Sequence, residues 1–126
     1  MQSPYKGETG LKRLISAARN SFAGLAAAVR HEDAFRQELI LAAVLVPVAI
    51  FMNVTFLEKA MLVGSVLLVL VIELLNSAIE ATVDRVSLEI HPLARRAKDL
   101  GSAAVMLSIV AAASVWLFVL LAPQPT

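Results

Sequence analysis

The sequence predicts an all-α membrane protein, with three transmembrane helices preceded by an N-terminal amphipathic surface helix. Three features carry that prediction. Hydrophobic residues make up 59% of the 126 and mean hydropathy is +0.78, well above the roughly 45–50% apolar content of soluble domains. Long uncharged runs recur at bilayer-spanning lengths. The segment before them repeats its apolar residues with a helical period.

That segment, about residues 9–30, places Leu11, Leu14, Ile15, Ala18, Phe22, Leu25, Ala26 and Val29 at steps of three and four. Lys12, Arg13, Ser16, Arg19 and Asn20 take the opposite face. An amphipathic helix with a basic face beside spanning segments is expected to lie at the lipid headgroup boundary, its cations toward anionic lipid and water. Residues 1–8, "MQSPYKGE", show no periodicity and read as a lead-in. The first apolar run begins only near Leu39, so a cleavable signal peptide is not expected.

Span one, about 35–54, contains nineteen uncharged residues between Glu38 and Glu58, close to the roughly 20 needed to cross a 30 Å hydrocarbon core. Pro47 inside it is tolerable where neighbouring groups satisfy the freed carbonyl. After the turn "NVTFLEK", span two, about 58–85, has thirteen uncharged residues from Ala60 to Ile72 before it meets Glu73. It must therefore carry polar groups within its length. Span three, about 98–122, has twenty-three residues from Leu100 to Ala122 without a charge and ends at "PQPT".

Eleven basic residues face ten acidic ones, so net charge gives no argument for a nucleic-acid partner. Their distribution is more informative. Six precede span one, Lys59 lies in the first connection, Arg85, Arg95, Arg96 and Lys98 lie around the second, and none follows span three. The positive-inside rule puts the N-terminus and the second connection in the cytoplasm. Three spans and one surface helix enclose little, so an oligomer is expected.

The absence of cysteine excludes disulfides, thiolate nucleophiles and cysteine-ligated zinc. His31 and His91 have no ligand partner at helical spacing. No Gly-x-x-x-x-Gly-Lys-Ser/Thr run and no kinase-type glycine loop occurs, so any nucleotide chemistry must use another architecture.

Chemistry concentrates in "VIELLNSAIEATVDRV", Val71 to Val86. Glu73, Asn76, Glu80 and Asp84, at steps of three, four and four, fall on one helical stripe bordered by Ser77. A carboxylate facing lipid costs roughly 2.5–3.5 kcal/mol even on the forgiving insertion scale, so the stripe must face protein, water or a cation. Asp84 and Asn76 also suit a helix end and a helix contact; Glu73, flanked by Ile72 and Leu74, suits a functional group better. Glu73 and Glu80 stand about 10 Å apart along the axis, too far to share one small ion directly. A second acidic cluster, "RHEDAFRQE" at Arg30 to Glu38, ends at the same face and lets Glu32 meet Glu80. Two carboxylates with open positions suit Mg²⁺, which completes its shell with waters and substrate phosphates. Arg95, Arg96 and Lys98 could hold phosphates or serve only as topology signals.

These blocks resemble the prokaryotic diacylglycerol kinases, small integral membrane lipid kinases. "ELLNSAIEATVD", Glu73 to Asp84, is similar to the family signature Glu-x-x-Asn-Ser/Thr-Ala-Ile-Glu-x-x-x-Asp, supported by "AKDLGSAAV" at Ala97 to Val105 and "EDAFRQE" at Glu32 to Glu38. The resemblance implies a homotrimer in the bacterial cytoplasmic (inner) membrane, with active sites at subunit interfaces. The implied reaction is transfer of the γ-phosphoryl of MgATP to 1,2-diacylglycerol, giving phosphatidate and ADP. Glu73 would be the general base, with Asn76 beside it as an active-site amide, and Glu32 and Glu80 would hold the metal. Glu89, Ile90, His91, Lys98 and Asp99 match nucleotide-binding positions, and Arg13, Glu38 and Ser102 match positions lining the lipid. Asn20, Phe22 and His31 depart from residues the family can carry there.

Two other readings remain open from the residues. "HPLA", His91 to Ala94, is similar to the undecaprenol kinases of the same fold. A small proton-coupled transporter would also place one glutamate in the membrane, but it requires neither the acidic cluster before span one nor the Lys98–Asp99 pair.

Overall fold

The computed structural model describes residues 9–86 and 91–123, and among these the secondary structure is entirely helical. Four helices follow in order: α1 (Gly10–His31), α2 (Asp33–Phe51), α3 (Phe56–Val86) and α4 (Pro92–Leu121). Among the described residues, those up to Glu32 form one unit and those from Asp33 onward a second.

In the N-terminal unit, α1 starts at Gly10, whose φ of 60° suits a residue without Cβ. It ends on Arg30 and His31, basic residues placed where the helix dipole favours positive charge. Leu11, Leu14 and Phe22 stand exposed on its apolar face, as do Ile15, Leu25 and Val29.

In the second unit, α3 packs against both α2 and α4. All three helices are long and apolar enough to cross a membrane. The 19 residues of α2 give about 28 Å at 1.5 Å per residue, and the 31 of α3 give about 46 Å. Only α3 and α4 therefore exceed a 30 Å core with length to spare. Helix α2 continues through Pro47 to Phe51 and stops three residues before the span expected from composition. The chain needs Met52 to Thr55 to reverse direction.

Specific contacts build that reversal. Thr55 and Glu58 form a capping box: Glu58 N–H donates to Thr55 Oγ1 at 3.1 Å, while Glu58 Oε1 accepts from Thr55 N–H at 3.1 Å and from its hydroxyl at 2.9 Å. Lys59 Nζ donates to the Ile50 carbonyl at 2.6 Å, satisfying an acceptor at the end of α2. Beside this turn sits the small apolar core, in which Ala49 and Leu62 are fully enclosed and Val119 nearly so.

At the opposite end, α4 begins at Pro92, six residues ahead of the expected span boundary. His91 supplies the N-cap, its Nδ1 accepting from Leu93 N–H at 3.1 Å, and Pro92 takes a first-turn position where the lost N–H is harmless. The uncharged run marks what lipid can cover, whereas the helix needs only caps and propensity, so it extends into the charged connection. Across that connection Lys98 Nζ meets Asp84 Oδ1 at 2.6 Å, tying the start of α4 to the end of α3.

Two outcomes follow. Thr55→Ala removes the cap of the longest helix and should cost about 1 kcal/mol of stability, read as a lower unfolding temperature in detergent. Asp84→Asn breaks an ion pair in which both side chains are about half exposed. It should lower that temperature only slightly at low salt, and the difference should vanish at high salt.

Candidate active site

The α3 sequence puts its polar groups on one face by spacing alone. Glu73 is buried at 6% exposure and is the one charged side chain so enclosed among the described residues. One turn on, Asn76 Nδ2 donates to Glu80 Oε1 at 3.3 Å, an i,i+4 contact that fixes one carboxylate oxygen. The Asn76 carbonyl oxygen Oδ1 is enclosed and accepts no hydrogen bond in the structure. Glu80 is half-buried and Asp84, a turn further, is exposed. The stripe thus grades from buried to open along the helix.

Helix α2 brings Glu38 within electrostatic reach of Glu73. Glu38 Oε2 is enclosed without a hydrogen-bond partner. Enclosed polar oxygens that a chain leaves unsatisfied are uncommon and point to a polar ligand or ordered water. Glu38 is also the one charged residue lining an otherwise apolar cavity of about 360 Å³ between α2, α3 and α4, whose walls include Leu45, Val69, Ile109 and Trp116. Such a chamber, a carboxylate at one wall and hydrocarbon elsewhere, suits an amphiphile with a hydroxyl head.

Helix α4 adds a close approach. Gly101 is buried, and a Cβ built there would collide with Asn76 Oδ1 and come within 3.2 Å of its Cγ. Three residues earlier is Lys98, paired with Asp84. Asp99 is exposed and stands 4.0 Å from Arg95 Nε, and Ser102 is exposed beside Gly101. His91 is committed as the α4 N-cap, with its other ring nitrogen uninvolved in that bond.

Arg13 is exposed on α1, and Glu32 is the C-cap of α1, its N–H donating to the Ala28 carbonyl at 2.9 Å. Both belong to the N-terminal unit. Glu89 and Ile90 lie outside the described residues. Within the second unit, the structure brings together Glu38, Glu73, Asn76 and Glu80, with Lys98 at the open end. It adds Gly101, which spacing alone could not connect to Asn76, because the two meet only through the packing of α4 on α3.

For a divalent cation, the donors fit one class of ion. Among the described residues no three carboxylate or imidazole groups converge. Glu80 keeps its second oxygen clear of Asn76. One or two carboxylates with an open shell suit Mg²⁺, which dehydrates reluctantly and takes its other ligands from water and phosphate.

A family comparison matches residues 19–120 to the prokaryotic diacylglycerol kinases. A diacylglycerol kinase of Pseudomonas aeruginosa is 53% identical over 119 residues, spanning 94% of this chain and 97% of the relative. The Escherichia coli K12 diacylglycerol kinase is 46% identical over 112 residues, 89% of this chain and 92% of its own. That of Helicobacter pylori J99 is 42% identical over 107 residues, 85% and 84% respectively. With a match over most of its length and relatives of nearly equal extent, the chain belongs to the prokaryotic diacylglycerol kinase family.

Proposed function

We propose that this chain is an ATP-dependent lipid kinase that transfers the γ-phosphoryl of MgATP to the free hydroxyl of 1,2-diacylglycerol, releasing phosphatidate and ADP. Family membership sets the reaction class. The observation that carries the mechanism is the buried carboxylate of Glu73 within electrostatic reach of Glu38, which itself lines an apolar cavity. A lipid hydroxyl is the group such a carboxylate can use.

In this reading the acyl chains occupy hydrophobic surface and the hydroxyl reaches Glu73. Glu73 accepts the hydroxyl proton as the oxygen bonds to the γ-phosphorus, and the bond from that phosphorus to the β,γ-bridging oxygen breaks, leaving ADP. Glu38, Arg13 and Ser102 orient the lipid, and Asn76 holds Glu80. By their match to the family's metal-holding positions, Glu32 and Glu80 would hold Mg²⁺, which when bound would supply positive charge to the phosphates. Lys98 adds a cation from α4, exchanging Asp84 for a phosphate oxygen, while Asp99 with Glu89 to His91 contributes to nucleotide binding. Phosphoryl transfer asks mainly for positioning and charge stabilisation, which these groups supply.

The same reading takes the molecule as a homotrimer in the bacterial cytoplasmic membrane, with the N-terminus and the α3–α4 connection on the cytoplasmic side. The bare apolar face of α1, backed by its cations, suits the lipid boundary. The feature shared with undecaprenol kinases, His91-Pro92, has a local job as the N-cap and first turn of α4. It therefore lends little weight to a polyprenol acceptor.

In mixed micelles with MgATP, diacylglycerol should be phosphorylated well ahead of undecaprenol when the two are offered side by side. Absence of product from both sinks the kinase assignment. Glu73→Gln should lower turnover by about 10²- to 10⁴-fold while MgATP binding and the unfolding temperature are retained. Near-normal turnover in that variant would remove Glu73 from the general-base role.

A further inference from the structure

We propose that Gly101 is a positioning residue that sets the rotamer of Asn76 and, through it, the orientation of Glu80. The proposal rests on the reading above that Asn76 and Glu80 belong to the site.

Helix α4 approaches α3 so closely at Gly101 that the space a Cβ would fill is occupied by the Asn76 amide. In that pose Asn76 spends its Nδ2 on Glu80 and has its Oδ1 enclosed against α4. Exchanging the amide oxygen and nitrogen does not open the space, because the nitrogen would then take the colliding position that Oδ1 now holds, with Cγ still a tight 3.2 Å from the added carbon. The obstacle is the end of a short side chain rather than backbone, so the helices need not separate. Asn76 must instead turn about χ1 or χ2, which takes Nδ2 away from Glu80. A glycine at this point thus admits the asparagine rotamer that a Cβ would exclude, the one that leaves a carboxylate oxygen pinned and the other available.

The contact also explains why glycine stands inside a long helix. Glycine is a poor residue for a helix interior and alanine the best. Gly101 has an ordinary negative φ, so backbone conformation does not demand it; the approach of Asn76 does.

The decisive variant is Gly101→Ala, made alone and on an Asn76→Ala background. Alone, it should leave the unfolding temperature unchanged or slightly higher and lower kcat/KM for MgATP about tenfold, the scale of a hydrogen bond to a charged group. On the Asn76→Ala background the clash is gone, and Gly101→Ala should have no further effect on kcat/KM. In the substrate-free protein, the Asn76 side-chain amide resonance, assigned by its loss in Asn76→Ala, should shift in Gly101→Ala.

Equal losses in both backgrounds, or an unmoved Asn76 resonance, overturn the proposal. If Asn76→Ala and Glu80→Gln keep full activity, the assignment of those residues to the site fails instead. The resonance, read without nucleotide or metal, still reports on Gly101 by itself.

Discussion

A carboxylate in the apolar part of a membrane helix is the constraint around which the rest of this structure is arranged. Glu73 stands eighteen residues into α3, about 26 Å along the axis from Phe56, and exposing it to lipid would cost roughly 2.5–3.5 kcal/mol or more. The structure meets that constraint by enclosing the side chain. Helices α2 and α4 both pack on α3, and both bring a matched feature to that level: Glu38 from one, and from the other a glycine that lets the helix come close to Asn76. Beyond Glu73 the helix has length left over, so Glu80 and Asp84 emerge toward water on the same face. One helix therefore carries the candidate site from its buried end to its open one.

The two ends of the helix bundle are held by different forces. Near the α2–α3 turn, Ala49, Leu62 and Val119 form a closed apolar core, supported by the Thr55–Glu58 box and the Lys59 cap. At the other end the α3–α4 link rests on the Lys98–Asp84 pair and a histidine cap, contacts that water and salt weaken. This division places the rigid packing away from the site and the exchangeable polar contacts beside it. On the proposed reading, in which Lys98 trades Asp84 for a phosphate, a half-exposed ion pair serves better than a buried one.

Much of this was legible in the sequence, and for identifiable reasons. Length and hydropathy mark α2, α3 and α4 because the bilayer imposes one dimension on all of them, and the period of Leu11 to Val29 marks α1 because one face differs chemically from the other. The stripe of Glu73, Asn76, Glu80 and Asp84 is equally visible, since steps of three and four are the geometry of a helix. Boundaries were less so. Hydropathy sees where charge begins, not where His91 and Pro92 start α4, and it runs past Phe51 because the reversing turn is itself apolar. The Thr55–Glu58 spacing carried the capping signal there, four residues inside a segment that looked like a simple turn. Contacts between helices left no trace in spacing at all. Asp84 and Lys98 are fourteen positions apart and Asn76 and Gly101 twenty-five, so only the crossing of α3 with α4 brings either pair together.

The scarcity of buried bulk explains why that crossing matters so much. Long apolar side chains such as Leu67, Leu68, Leu75, Leu107 and Phe118 stand outward, as they should where lipid is the solvent and hydrocarbon contact gives no drive for helix association. In that setting helices are held by close approach at small residues and by a few polar contacts. Ala42, Ala49 and Gly101 occupy such points here. Gly101 differs from the two alanines in what it meets: its missing side chain is filled by an amide that also binds Glu80. Helix packing and carboxylate orientation are then one contact rather than two, and α4 cannot shift along α3 without moving the site.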